Sequence, residues 1–175
     1  MLTGVILAGG RSRRMGRDKA SVLVAGEMLW QRQARVLRDS GATSVRLVLR
    51  PEQQPPPGAD APDVQLLRDV HLDAGPIAGL HSALVAPPSA HWYFTLAVDL
   101  PRVQPDWFRW LSGFCDGGSG AIARHDTGYE PLAAIYPAAA GPVIARHIAR
   151  GEYSAASIAS SIKPASTSRC LEVAA

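Results

Sequence analysis

Between residues 9 and 19 the chain runs Gly-Gly-Arg-Ser-Arg-Arg-Met-Gly-Arg-Asp-Lys, which combines bare backbone with dense positive charge. Gly9 and Gly10 lack a Cβ, so the chain can turn sharply and bring main-chain N–H groups to a phosphate oxygen. Gly16 permits a second such turn. Ser12 adds a hydroxyl, and Arg14 and Lys19 can neutralise the oxygens of a triphosphate. Five of the 18 Lys and Arg residues fall between Arg11 and Lys19, with only Asp18 against them. Positive charge this local marks an anion site, whereas a nucleic acid duplex calls for a basic face spread over a domain. The plainer alternative is a Gly-rich turn with a solvated basic surface. Neither familiar phosphate loop fits. The G-x-G-x-x-G pattern does not match glycines at 9, 10 and 16, and Walker A needs a lysine where Arg17 follows Gly16.

A triphosphate reacts as its magnesium complex, and Mg²⁺ takes one or two carboxylates together with phosphate oxygens and water. Asp99 is the first candidate ligand. It follows the apolar run Trp92 to Val98 and precedes Pro101, which puts it at the carboxyl end of a strand. The alternative role is to cap a following helix. Asp69 is the second acidic candidate, just after a short strand. Asp73 reads as a plain helix cap. Gly75 and Gly79 in the next segment leave room for a base or ribose, and a helix starting near Pro76 aims a positive dipole at them. His71, His81 and His91 stand ten residues apart, a spacing that fits neither one helix face nor a metal-ligand set. Trp92, Tyr93 and Phe94 read as core, and Gly117 to Ala121 as a turn.

Strands alternating with helices must hold these groups. Thr3–Ala8 is a continuous apolar strand of the kind buried in a parallel sheet. Further strands are expected at 45–49, 64–67, 92–98, 121–123 and 132–136. Helices are expected at 28–39, 76–85, 106–114 and 139–150. Five prolines between Pro51 and Pro62 predict an extended surface loop. The alternation predicts an α/β fold with a mostly parallel central sheet. In such sheets ligands bind beyond the carboxyl ends of the strands, where residues 9–19, 69 and 99 fall.

The 175 residues suit one domain, 1–175, with a sizeable core. Hydrophobic residues at 47% and charged residues at 19% exclude a disordered chain. A net charge of +3 is too mild to argue for nucleic acid. No apolar run reaches the ~20 residues that span a bilayer. Cys115 and Cys170 form no disulfide or zinc pattern, so the cytoplasm is the expected compartment.

The run Leu7-Ala8-Gly9-Gly10-x-Ser12-x-Arg14-Met15-Gly16-x-Asp18-Lys19 resembles the N-terminal signature of the molybdenum cofactor guanylyltransferases, the MobA-like nucleotidyltransferases. Asp73-Ala74-Gly75-Pro76-Ile77-Ala78-Gly79-Leu80 resembles that family's Gly-Pro-Leu-Ala-Gly segment, and Ala97-Val98-Asp99-Leu100-Pro101 its magnesium-binding Ala-Cys-Asp-Met-Pro. The resemblance implies a three-layer α/β/α Rossmann-like nucleotidyltransferase fold. It implies transfer of GMP from GTP to a molybdopterin-type acceptor, Asp99 on Mg²⁺, and nucleotide contacts from Leu7, Ala8, Gly9, Gly10, Ser12, Lys19, Asp69, Gly75, Gly79 and Asp99. Arg14, Lys19 and Asp99 would be the catalytic residues. Ala8-Gly9-Gly10 stands where sister families that handle CTP carry Ala-Ala-Gly, which favours guanine. It leaves room for protein partners in cofactor assembly and implies neither nucleic acid nor membrane.

The chain departs from the family in three places. Val45 to Arg50 lacks an asparagine at the end of the second strand. Glu130 stands where a histidine is usual, and the C-terminal Asn-x-Asn-Thr-Pro segment is missing. The alternatives are a transferase using CTP or another phosphorylated acceptor, and a GTP-binding protein of cofactor assembly that catalyses nothing.

Overall fold

The computed structural model describes residues 1–10, 18–71, 74–116, 118–125, 128–154 and 171–172. The main sheet is built from β1 (Leu2–Leu7), β4 (Ser44–Leu49), β5 (Val64–Arg68), β6 (Trp92–Ala97), β7 (Ala121–His125), β8 (Gly128–Pro137) and β9 (Leu171–Glu172). A separate two-stranded ribbon joins β2 (Leu23–Val24) to β3 (Glu27–Met28). The main sheet has the order β5-β4-β1-β6-β8-β7-β9. β8 runs antiparallel to both its neighbours, and every other pairing is parallel.

The helices are α1 (Leu29–Asp39), α2 (Gly75–Val85), α3 (Pro105–Ser112) and α4 (Ala140–Ala149). Strand alternation sends side chains to two cores. Ile6, Leu47 and Phe94 pack with α1 and α3, while Val5, Val48 and Tyr93 pack with α2 and α4. The result is the expected three layers. In α1 the buried Leu29, Trp30, Gln33, Ala34 and Leu37 form one stripe, while Arg35 and Arg38 reach outward to Glu27 and Asp63.

The Pro-rich stretch lies largely exposed at the surface, as expected, but is compact rather than extended. It folds back in turns with Gln53 and Ala59 buried, because Gln53 finds main-chain and side-chain partners beneath it. Arg46, in the middle of a central strand, is 2% exposed. Its guanidinium donates to the carbonyls of Ala83 and Pro88 and to Gln65 Oε1, and lies 5.5 Å from the Tyr93 ring centre. Carbonyl dipoles and an aromatic face thus stand in for a carboxylate. Tyr93 and Phe94 are core, as their sequence neighbourhood predicts.

The topology decides where a ligand can sit. From β1 the chain moves outward through β4 to β5, then returns to the other side of β1 to form β6. This reversal opens a crevice at the carboxyl ends of β1 and β6. Leu7 pairs with Ala97 in register, so the segments leaving the two strands start side by side.

Candidate active site

A cavity of about 510 Å³ occupies that crevice. Leu7, Gly9, Gly10, Lys19, Asp69, Gly75, Gly79 and Asp99 all line it. These residues come from four separate stretches of chain. Ala8 does not line it. Its side chain is buried in the core, its N–H donates to Val48 O at 2.9 Å, and its carbonyl accepts from Gln53. Ser12, Arg14 and Gly16 lie outside the described residues.

Gly9 and Gly10 do not adopt a left-handed backbone. What they supply is clearance. Among the described residues a Cβ on Gly10 would meet nothing within 4 Å, and one on Gly9 would lie 3.4 Å from Arg50 Cγ. The main chain is therefore bare toward the cavity, as close approach of a phosphate or base requires. Gly75 does require its glycine, with φ +67 where α2 begins. A Cβ on Gly79 would come within 3.3 Å of Val48 and 3.4 Å of Leu7. Its absence lets α2 lie close to the sheet, in addition to opening the cavity. The residue capping α2 is Ala74, without a side-chain bond, and Asp73 lies outside the described residues.

Lys19 Nζ donates to Asp99 Oδ2 at 2.9 Å, with the two side chains 33% and 51% exposed. Sequence positions 80 residues apart thus form one charged pair at the rim of the cavity. Each partner is held from below. Asp18 caps the single 3₁₀ turn Lys19–Ser21 by accepting from Ala20 N at 3.0 Å. Asp99 sits on a turn whose Ala97 and Leu100 carbonyls both accept from Gln33 Nε2, at 3.2 and 2.9 Å. Gln33 comes from α1 and is fully buried. Helix α3 is capped at Gln104, so Asp99 caps no helix, and that alternative falls away.

Asp69 lines the cavity directly after β5. Its N–H donates to Leu49 O at 2.8 Å, and its Oδ1 accepts from His71 N at 2.9 Å. Burial pushes its carboxyl above the usual value of 3.8, partly offset by the hydrogen bonds from His71 N and Ser82 Oγ and by the charges of His71 and His81. The fold brings together two of the evenly spaced histidines: His71 Nε2 and His81 Nδ1 lie 3.1 Å apart. Burial, and then the neighbouring His71, hold His81 below its usual 6.5, with Asp69 opposing. The unfolded chain therefore binds the His81 proton more readily than the folded one. Stability from this group is present above about pH 6.5 and is lost as pH falls through the lower folded value. Thermal unfolding should occur at lower temperature at pH 5.5 than at pH 7.5, and His81→Leu should flatten that slope. An unchanged slope in the variant would assign the pH dependence to other groups. Asp69 acts with the opposite sign, at pH values above 3.8.

Sequence reasoning missed Arg50 and set His71 aside, yet both line the cavity. Arg50 Nη1 donates to Gly9 O at 3.2 Å and Gly10 O at 2.8 Å. Its place at the carboxyl end of β4 was the available signal. No helix among the described residues is long and apolar enough to cross a membrane.

The family model of the MobA-like NTP transferase domain matches residues 4–165. A probable molybdenum cofactor guanylyltransferase of Opitutus terrae is 48% identical over 155 residues, covering 87% of this chain and 75% of that protein. Another, from Pelotomaculum thermopropionicum, is 34% identical over 144 residues, covering 77% of this chain and 62% of that protein. The crystal structure of molybdopterin-guanine dinucleotide biosynthesis protein A from Archaeoglobus fulgidus has a TM-score of 0.72 at 27% identity. That similarity covers 92% of this chain and 80% of the other.

Proposed function

The chain belongs to the MobA-like NTP transferase family, and on that premise we propose that it is a molybdenum cofactor guanylyltransferase, with residues 1–175 forming one such domain. It transfers GMP from GTP to the phosphate of molybdopterin and releases pyrophosphate. The observation that carries this reading is the meeting of Lys19 and Asp99 beside bare Gly9 and Gly10 at the sheet's switch point. A triphosphate needs those groups together: main-chain donors, a cation, and a carboxylate for its metal.

A phosphate oxygen of the acceptor bonds to the α-phosphorus of GTP, the bond to the α,β-bridging oxygen breaks, and pyrophosphate departs. No covalent enzyme intermediate is needed, so the protein's work is positioning and charge stabilisation. Gly9 and Gly10 bring the main chain to the nucleotide, with Ser12 and Arg14 extending the phosphate contacts. Lys19 stabilises charge on the phosphates. Asp69, Gly75 and Gly79 bound the nucleoside side of the cavity. Asp99 offers a hard carboxylate oxygen, half exposed and facing the same space, which fits Mg²⁺ shared with phosphate oxygens. A divalent metal such as Mg²⁺ held by Asp99 would supply positive charge against the phosphates. The reaction belongs to the cytoplasm and leaves room for cofactor-assembly proteins as partners that deliver the acceptor.

Calorimetric titration with GTP, CTP and ATP in the presence of Mg²⁺, followed by pyrophosphate release on addition of molybdopterin, tests the assignment. Binding and turnover with GTP are expected. Turnover with CTP instead would move the chain to a sister activity, and GTP binding without pyrophosphate release would make it a nucleotide-binding protein.

A further inference from the structure

We propose that Gln53 is a positioning residue for the nucleotide, fastening together the two chain segments that carry Gly9–Gly10 and Lys19. This rests on the proposed reaction for its substrate, and on the geometry for everything else. Gln53 lies in the Pro-rich stretch after β4 and does not itself line the cavity, although its hydrogen-bond partner Arg50 and its neighbour Glu52 do. It is 5% exposed, and every polar atom of its carboxamide is engaged. Nε2 donates to Ala8 O at 3.1 Å and to Asp18 Oδ2 at 2.7 Å. Oε1 accepts from Arg50 N at 3.1 Å. One amide nitrogen therefore spans the gap between Ala8, directly before Gly9, and Asp18, directly before Lys19.

Each of these bonds leads to a group at the cavity. Asp18 shares its carboxylate between Gln53 and Ala20 N, so the bond from Gln53 fixes the same turn that aims Lys19 at Asp99. Arg50, whose N–H Gln53 holds, braces the Gly9 and Gly10 carbonyls with its guanidinium. Gln53 is itself anchored, since Arg68 of β5 donates to the carbonyls of both Arg50 and Gln53. The bracing therefore runs from the sheet through Gln53 to both segments. A carboxamide suits this position because it presents two N–H donors to two acceptors. A carboxylate would face both with acceptors only, and an apolar side chain would leave them unpaired.

Segments fastened before the nucleotide arrives need no ordering when it binds. Loss of the fastening therefore weakens binding of ground state and transition state alike, which raises KM and spares kcat. A residue needed only for folding behaves differently. Its loss lowers the active fraction, and with it the apparent kcat, while KM stays put.

The test is steady-state kinetics and calorimetric GTP binding on the full chain carrying Gln53→Glu, Asp18→Asn, or both. Gln53→Glu sets a carboxylate against Asp18, and adding Asp18→Asn restores a donor–acceptor pair across the same gap. In Gln53→Glu the KM and Kd for GTP should rise about tenfold, with kcat within about threefold of the parent and KM for molybdopterin unchanged. The double variant should recover at least half of that rise on a logarithmic scale. A KM for GTP within about twofold of the parent, a change confined to kcat, or no recovery in the double variant would each overturn the role of Gln53. If Gln53→Glu does not accumulate as folded protein, Gln53→Asn, which keeps the chemistry on a shorter arm, takes its place and is judged on KM, Kd and kcat for GTP alone, a KM within about twofold of the parent or a change confined to kcat again overturning the role. A parent that binds GTP but releases no pyrophosphate would sink the proposed reaction, and the GTP Kd values would still judge Gln53.

Discussion

Lys19→Ala lowers kcat/KM for guanylyl transfer by about 10²- to 10³-fold, the usual effect of losing one preorganised group that stabilises transition-state charge. The fold survives the change. The Lys19–Asp99 pair is part-exposed, and pairs of that kind contribute about 0–1 kcal/mol. The Lys19 backbone is placed by the Asp18 cap and the buried Ala20, neither of which needs the lysine side chain. Activity and stability should therefore separate cleanly. The measurement is single-turnover transfer of GMP alongside thermal unfolding. Turnover within about threefold of the parent, only ~0.65 kcal/mol, would remove Lys19 from the chemistry.

The second large effect belongs to Asp99. Asp99→Asn keeps the size and shape of the side chain, removes its charge and turns one acceptor oxygen into a donor. Turnover that depends on a divalent metal should fall by about 10³-fold, corresponding to the several kcal/mol that such a metal contributes. The turn should hold, because Gln33 binds its Ala97 and Leu100 carbonyls and the Asp99 carboxylate is not part of that brace. The two substitutions also differ in kind. Lys19→Ala lowers the plateau of the metal titration, whereas Asp99→Asn shifts the curve to higher metal concentration. A metal dependence identical to the parent's in Asp99→Asn would exclude Asp99 as a ligand.

Which groups were candidates for the site was legible before any fold was known. Gly9, Gly10 and Lys19 share one short window whose composition suits phosphate. Asp99 and Asp69 each follow an apolar run that reads as a strand, so both were expected on the ligand-binding rim, and all five line one cavity. The alternating elements are legible for a local reason: apolar spacing along a few residues reports burial on one face or on two.

The supports were not legible, because hydrogen bonds between distant segments leave no local pattern. Gln53 sits among prolines and reads as loop. Gln33 sits on a helix face otherwise made of Leu29, Trp30 and Leu37. His71 and His81 stand at a spacing that matches no ligand set, yet their rings meet. The sequence by itself determined which side chains stand as candidates for a nucleoside triphosphate and that parallel strands would present them. Tertiary structure alone decided that β6 returns beside β1, which brings Lys19 to 2.9 Å from Asp99, and that two buried carboxamides hold the pair's segments in place. Strand order is settled by the packing of all layers at once, so no window of sequence contains it.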